Sequence, residues 1–438
     1  MRAAWQRSRL RRHRIGSASG EDALNWARGA DYAWDFVRDR ARFARKDVGA
    51  LSNTPGWSFT RASTGYAQTQ AGVLVPFASG ALRRTDKGVL IEGAGTNLCL
   101  QSQTFDNASW VKSRTTVSAD AVAAPDGTTT AYKLLETVDS GTHRAYQKFT
   151  KAASAITYTY TLYLKAAERT FAHIRLAETG EVNQATVGVN LSTGELGTPD
   201  GSGITSISAA VTALANGWYR LSLTGTTTTD TVLTAYVMSA TGLTSGDVSF
   251  AGDITKGVYI WGAQLEAAAF ASSYIPTTTA SATRAADSLT VTGVTGLDYP
   301  LTLYAEFERA SDSGAHSGVF EVNSGSSNDR ALLNINSSDL MQVYARTSSV
   351  DQVSATIDGA LAIGTVYKTA ARISTNDSRH ALGGTLGTQD TSCTNPATPS
   401  KIVFGNQNSE TLPIYGYLRR AALFTRALTN AELQAITA

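Results

Sequence analysis

Residues 156–166 read ITYTYTLYLKA. Ile156, Tyr158, Tyr160 and Leu162 fall on one side of an extended chain, and the threonines and Tyr163 on the other. A period of two belongs to a strand, because successive side chains there point to opposite faces, and it spoils the apolar stripe of a helix. Similar strand-length runs surround it: AYKLLE, RAYQKFT, FAHIRLA, NQATVGVNL, WYRLSLT and VLTAYVM, bounded by turns such as STGEL and PDGSG. Several short strands with no helical pattern between them predict an antiparallel β-sandwich over residues 101–278. KGVYIWGAQLE (256–266) is apolar on both faces at its start, as in a strand covered on both sides, and closes the sandwich. A helix there would have to absorb Gly262, Val258 and Ile260 and then meet Pro276. AAAFASSYIPTT (267–278) is expected to be an extended exit segment pinned by Phe270 and Tyr274.

A second β series fills residues 279–438, from LTLYAEFER to YGYLRRAALF. It ends in a capping box, Thr429 followed by Glu432, ahead of Leu433 and Ile436, which predicts a short terminal helix. Between residues 31 and 100 the runs GVLVPF and GVLIEG are brief strands among turn residues, expected to form a small β-rich adapter. From Glu21 to Ala44 apolar residues recur at helical spacing. Gly29 weakens that pattern, and a strand at Trp34–Val37 competes with it. The fold class expected is mostly β, as successive antiparallel sandwiches behind a short basic arm.

Charge is concentrated at one end. The first fifty residues hold 12 basic and 6 acidic side chains, and the remainder 26 and 30. Arg2, Arg7, Arg9, Arg11, Arg12 and Arg14 are interrupted by no acid, which suits a solvated tail or an arm that docks on an acidic partner surface; nucleic acid is a third, less favoured option. Charged residues are 17% of the chain while 42% are hydrophobic, a balance that builds a core and argues against disorder. No apolar run approaches the ~20 residues of a membrane span. The basic start lacks the apolar stretch of a secretory signal, although an arginine-rich transit peptide is an alternative. Cys99 and Cys393 are expected to be free.

Residues able to carry chemistry are sparse. There is no G-x-S-x-G motif, and the five histidines (13, 143, 173, 316 and 380) are scattered. Glycoside hydrolysis needs only two converging carboxylates. Glu92, Glu266, Glu306 and Glu321 lie in or beside strands, where structural partners are the expectation. Arg61 and Glu92 are expected to form a buried pair. Sugar recognition needs a flat aromatic ring and a few polar partners. Trp218 and Trp261 are assigned to the core, and Trp110 is the more open candidate. Asn328, Asp329, Arg330, Asn376, Asp377 and His380 are candidates for a binding rim, or ordinary turn residues. No metal loop stands out and no cofactor is expected, although sandwiches of this type can carry a structural Ca²⁺.

Four motifs keep their order over about 50 residues: FTRASTGYAQT (59–69), GVLVPFASGALRR (72–84), GVLIEGAGTNL (88–98) and QSQTFDNASW (101–110). In this the chain resembles tailed-phage and prophage fibre, spike and minor tail proteins. That group often has an Asp-Phe pair upstream, where Asp35-Phe36 stands, and often a single arginine where this chain has Arg83-Arg84. WYRLSLT and IWGAQLEAAAFASSYIPTT resemble the group's carbohydrate-binding-like, galactose-binding-type middle module. IYGYLRRAALFTRALTNAELQAI resembles the end of concanavalin-A-like or laminin-G-like jelly rolls. TRAAD (283–287) weakly echoes TRAS (60–63). The resemblance implies a virion protein without enzymatic activity, divided into a basic arm (1–30), an adapter (31–100), and sandwiches at 101–278 and 279–438. It implies mounting through the N-terminus on other tail or capsid proteins, homo-oligomerisation, and adhesion to host surface polysaccharide. A virion-borne polysaccharide depolymerase and a spacer without ligand are the alternatives.

Overall fold

The computed structural model describes residues 24–438, so the arginines at positions 2 to 14 lie outside the described residues. The structure is mostly β, in antiparallel sheets, with Asn430–Thr437 the α-helix among the described residues. Thr429 caps that helix, accepting from the Glu432 amide while Glu432 reaches back to the Thr429 amide. Among the described residues no helix is long and apolar enough to cross a membrane.

The first sandwich is assembled from both ends of the chain. In its larger sheet Gly416–Phe424 lies between Leu301–Arg309 on one edge and two N-terminal strands on the other. Tyr32–Asp35 pairs with its second half, Ala33 opposite Ala422, and Gly88–Ile91 with its first half, Leu90 opposite Tyr417. The facing seven-stranded sheet runs from the edge strand Val350–Ile357 to Trp57–Thr60, another N-terminal strand, which pairs with Ser288–Thr292. Trp34, Phe36, Phe320, Phe404, Leu303 and Ile373 pack between the two sheets. Residues 31–100 are therefore not a free-standing adapter: Tyr32–Asp35, Trp57–Thr60 and Gly88–Ile91 are built into the C-terminal sandwich, while Gly65–Gln68 and Leu74–Phe77 pair as a separate hairpin. The spelling of a strand fixes which residues face a core but not which distant strand it joins.

In the described part of the 21–44 helical spacing, residues 24–44, the chain forms β structure beyond a 3₁₀ turn at Asn25–Ala27. Tyr32–Asp35 is buried along its whole length, because Trp34 faces the inter-sheet core while Ala33 faces a second cluster beneath the terminal helix. Burial on both faces yields an unbroken apolar run that a helical template also fits. Leu24, Ala27 and Ala30 belong to that second cluster, so the proposed arm already joins the folded body at Leu24.

The second sandwich is an insertion. Two six-stranded sheets, containing Thr157–Ala166 and Phe171–Ala177 as inner strands, enclose Leu134, Tyr160, Leu162, Ile174, Val237 and Leu265. Its two crossings to the scaffold lie side by side, since Gly95–Asn97 pairs with Ala282–Arg284 and Asn97 sits opposite Ala282. Gly257–Glu266 is an inner strand, as its spelling predicts, and 267–278 leaves it without regular structure. Phe270 packs on Tyr415 of the scaffold, with centroids 4.7 Å apart. Gly262 marks a bulge opposite Thr161 and Tyr163; its φ is +63°, and a Cβ there would sit 2.8 Å from the Tyr163 ring.

Candidate functional site

On the seven-stranded sheet, Ala331, Leu333, Met341, Val343, Ala345 and Val353 point into the core. Their alternates form the outer face, where three cross-strand rows are in register: Arg330, Arg346 and Asp351; Leu332, Tyr344 and Ser354; Asn334, Gln342 and Thr356. Tyr344 is half-buried. The guanidinium of Arg330 lies 5.2 Å from its ring centroid and that of Arg346 5.6 Å. Its hydroxyl donates to Asp351, which also accepts from Arg346 Nε at 2.7 Å. The ring is thus held by three charged neighbours from three strand positions.

Beside it runs a ladder of neutral polar groups. Asn334 Nδ2 donates to Gln342 Oε1 at 2.9 Å, and Gln342 Nε2 donates to Ser354 Oγ at 2.9 Å. The buried Asn334 Oδ1 has no protein donor. Ser354 and Thr356 then line a shallow groove of about 480 Å³, whose far wall is Thr388, Gln389, Asp390 and Ser392. A fixed aromatic ring beside amides and hydroxyls can present a stacking surface and oriented partners to a polyhydroxylated ligand.

The loop residues expected to form a rim divide into several roles. Only Arg330 stands on the polar face. Asp329 Oδ1 accepts from the amides of Ser348 (3.0 Å) and Ala397 (3.2 Å), and the Asn328 carbonyl accepts from the Ser349 amide at 2.9 Å. Asn376 takes a left-handed turn (φ 56°) and its amide donates to Cys393 O at 2.8 Å. Asp377 accepts from Gln389 Nε2 at 2.8 Å and pairs with Arg372. Asp329, Asn376 and Asp377 thus fasten the 388–397 segment that walls the groove at Ala397, Cys393 and Gln389, and act as struts; Asn328 closes the turn before Val350–Ile357. His380 is wholly buried, and burial followed by the neighbouring Arg379 charge lowers it to about 4. It is a neutral packing residue. Trp110 is also buried, donating from Nε1 to Gln101 O at 3.1 Å and packing on Phe105, which removes it as a sugar platform. Trp218 and Trp261 are core residues and both cysteines are free and buried, as expected.

Arg61 and Glu92 are both buried, but each has other partners. Arg61 Nη1 meets Asp287 at 3.2 Å; Glu92 meets Arg83 at 2.6 Å and Arg284 at 3.6 Å and accepts from Ser273 Oγ at 2.6 Å. Of the Arg83-Arg84 pair, Arg83 is the buried member and also reaches Asp287, while Arg84 is partly exposed beside Asp39. The two arginines of TRAS and TRAAD, Arg61 and Arg284, meet in this cluster.

The other strand carboxylates are engaged as well. Glu306 pairs with Arg419 (3.0 Å) and Arg420 (2.9 Å), and Glu266 accepts from Gln264 Nε2 and from the Ser272 amide and hydroxyl. Glu321 accepts from Asn323 Nδ2 at 2.8 Å, with Arg330 at 3.7 Å. Among the described residues no group of three or more His, Cys, Asp or Glu is placed to hold a metal ion. Burial pushes the Glu321 carboxyl from 4.5 to about 6, although Arg330 pulls the other way. A raised acid binds its proton more tightly in the folded state. Its stabilising effect is therefore complete below pH 4.5 and is lost as pH rises through 6. The loss is about 2 kcal/mol. Denaturant unfolding from pH 4 to 7 should show Glu321→Gln lacking that decline.

The polar face itself was legible only in part. LMQVYAR alternates Gln342, Tyr344 and Arg346 against Met341, Val343 and Ala345. That spelling announces a polar face bearing an aromatic residue, but any half-exposed strand of an antiparallel sheet spells the same alternation.

No family model matches the chain, and no curated protein does. Among solved structures it is similar to the Ruminococcus gnavus IT-sialidase CBM40 bound to α2,3-sialyllactose: 13% identity, 32% of this chain and 83% of that one, TM-score 0.28. It is similar to mouse laminin α1 chain domains LG4-5, at 13% identity over 67% of this chain and 92% of that one, TM-score 0.23. A Trypanosoma rangeli sialidase in complex with the inhibitor DANA matches at 10% identity over 70% of this chain and 60% of that one, TM-score 0.27. Likenesses this distant carry no weight for ligand or chemistry.

Proposed function

We propose that this chain is a phage or prophage virion protein that adheres to host surface polysaccharide without cleaving it. It is mounted through its basic N-terminal residues on other virion proteins and displays the two sandwiches outward. The observation that carries the adhesion reading is the Tyr344 face: a ring fixed by Arg330, Arg346 and Asp351 and flanked by the Asn334–Gln342–Ser354 ladder, whose Ser354 end lines a groove of about 480 Å³. The four ordered motifs between residues 59 and 110 support the virion setting. Glu92, Glu266, Glu306 and Glu321 all have structural partners, which supports binding over hydrolysis. Many copies on one particle would compensate weak single sites, with avidity gains of ~10²–10⁴. Tyr344→Ala, on a half-buried surface position, should lower stability by about 1–2 kcal/mol without unfolding the chain and reduce retention of host polysaccharide by about tenfold or more, the cost of one stacking contact of ~1.4 kcal/mol. Undiminished retention would remove this face from the reading.

A further inference from the structure

A cavity of about 560 Å³ lies between the two sandwiches and shares no lining residue with the groove on the polar face. The scaffold contributes Tyr66, Lys87 and Tyr417 to its lining, and the insertion contributes Tyr163, Arg220 and Tyr274. Its size is that of a small-ligand site.

The charges around it are unequally satisfied. Glu92 is held by Arg83 and Arg284, and Lys87 meets Glu308 at 2.5 Å while lying 4.8 Å from the Tyr417 centroid. Arg309 is taken by Asp312 at 2.8 Å and Asp339 at 2.7 Å. Arg220 differs. Its Nη2 donates to Thr161 Oγ1 at 3.1 Å and to Ser272 O at 2.8 Å, its guanidinium lies 5.5 Å from the Tyr163 centroid, and its buried Nε has no acceptor. Among the described residues no carboxylate comes within ion-pair distance of it. Glu266, which feels its charge, gives its oxygens to Gln264 and Ser272.

The remaining wall is backbone-rich. Thr205–Ala213 is an edge strand of its sheet, and its residues 210–213 line the cavity. An edge strand carries unpaired N–H and C=O groups, which here are available to hydroxyls. A cation without an acid, several tyrosine rings and a polar backbone edge suit a ligand that is anionic, ring-shaped and hydroxylated. We infer that this cleft is a second binding site, for a carboxylated sugar such as a uronic acid, whose carboxylate meets Arg220 and whose ring lies against the tyrosines. The inference takes its ligand class from the adhesion reading but not its location.

Titration calorimetry of the full chain with tri-galacturonate and with a neutral tri-galactoside tests it. The acidic trimer should bind at least tenfold more tightly than the neutral one. Arg220→Gln should weaken it at least tenfold, and Tyr344→Ala should leave it unchanged. Ala210→Glu adds a like charge at an exposed position of the cleft wall and should weaken it by a similar factor even if Arg220→Gln fails to fold. Equal affinity for the neutral trimer, no binding of the acidic trimer, or unchanged binding by Ala210→Glu would each overturn the assignment. Loss confined to Tyr344→Ala would also overturn it while upholding the polar face.

Discussion

Residues 279–438 expressed alone are expected not to fold. The fragment holds most strands of both scaffold sheets but lacks Tyr32–Asp35 and Gly88–Ile91, which cover one whole edge of Gly416–Phe424, and Trp57–Thr60 on the facing sheet. It forfeits Trp34, Phe36, Leu51, Val89 and Ile91, all buried in the shared core. At about 1.5–3 kcal/mol for each large apolar side chain, that loss rivals the 5–15 kcal/mol of a typical domain. It also bares a long edge at what should be the middle of a sheet, an invitation to aggregation. A chain joining residues 24–97 to 282–438 through a short turn should fold, because Asn97 and Ala282 are already neighbours across the neck. Circular dichroism and size-exclusion chromatography compare the two. A monomeric 279–438 fragment that unfolds cooperatively would contradict the insertion topology.

Arg83→Met should be the most damaging single change at the neck. Arg83 is fully buried and joins Glu92 and Asp287, drawing together the chain before the insertion and the chain after it; Ser273, from the insertion's end, binds the same Glu92. Three guanidinium groups (Arg61, Arg83 and Arg284) share two carboxylates there. Removing Arg83 takes the closest cation from both Glu92 and Asp287 in a poorly solvated site and leaves them only Arg284 at 3.6 Å and Arg61 at 3.2 Å, at about 3 kcal/mol. A methionine keeps much of the volume, so the cost reports the charge more than a cavity. The pH dependence follows the same geometry. Burial alone would raise the Glu92 carboxyl, but Arg284 and Arg83, with Ser273, hold it down at about 2. Its contribution is thus complete above pH 4.5 and lost as pH falls toward 2. In Arg83→Met the Glu92 carboxyl is held down less, so that loss should be smaller and should end at a higher pH. Guanidinium unfolding at pH 7 and at pH 3 checks both; a variant as stable as the parent at pH 7 would show the cluster to be dispensable. A charge swap between Arg61 and Glu92 should give no rescue, since neither is the other's principal partner.

Much of the strand content was legible because alternation is local. ITYTYTLYLKA, KGVYIWGAQLE and the capping box at Thr429 all spell their outcomes within a few residues. The order of strands in the sheets was not legible, because Tyr32–Asp35 finds its partner nearly 400 residues away and nothing in YAWD names it. Burial on both faces also hid that strand behind a helical rhythm. At the polar face, Arg330 follows a run of turn residues that marks it as a candidate, while Tyr344, Arg346, Asn334 and Gln342 have the spelling of ordinary strand residues. Asn328, Asp329, Asn376 and Asp377 have the composition of a rim but the hydrogen bonds of struts and turns. Composition cannot separate those roles, because turn-making and ligand-binding use the same donors and acceptors.

The proposed adhesion without cleavage is read out by incubating the intact protein with host surface polysaccharide and following retention on the protein and polymer length together. The wild-type chain should retain the polymer, Tyr344→Ala should lose about tenfold or more of that retention, and polymer length should stay constant. Shortening of the polymer, or equal retention by the variant, would contradict the proposal.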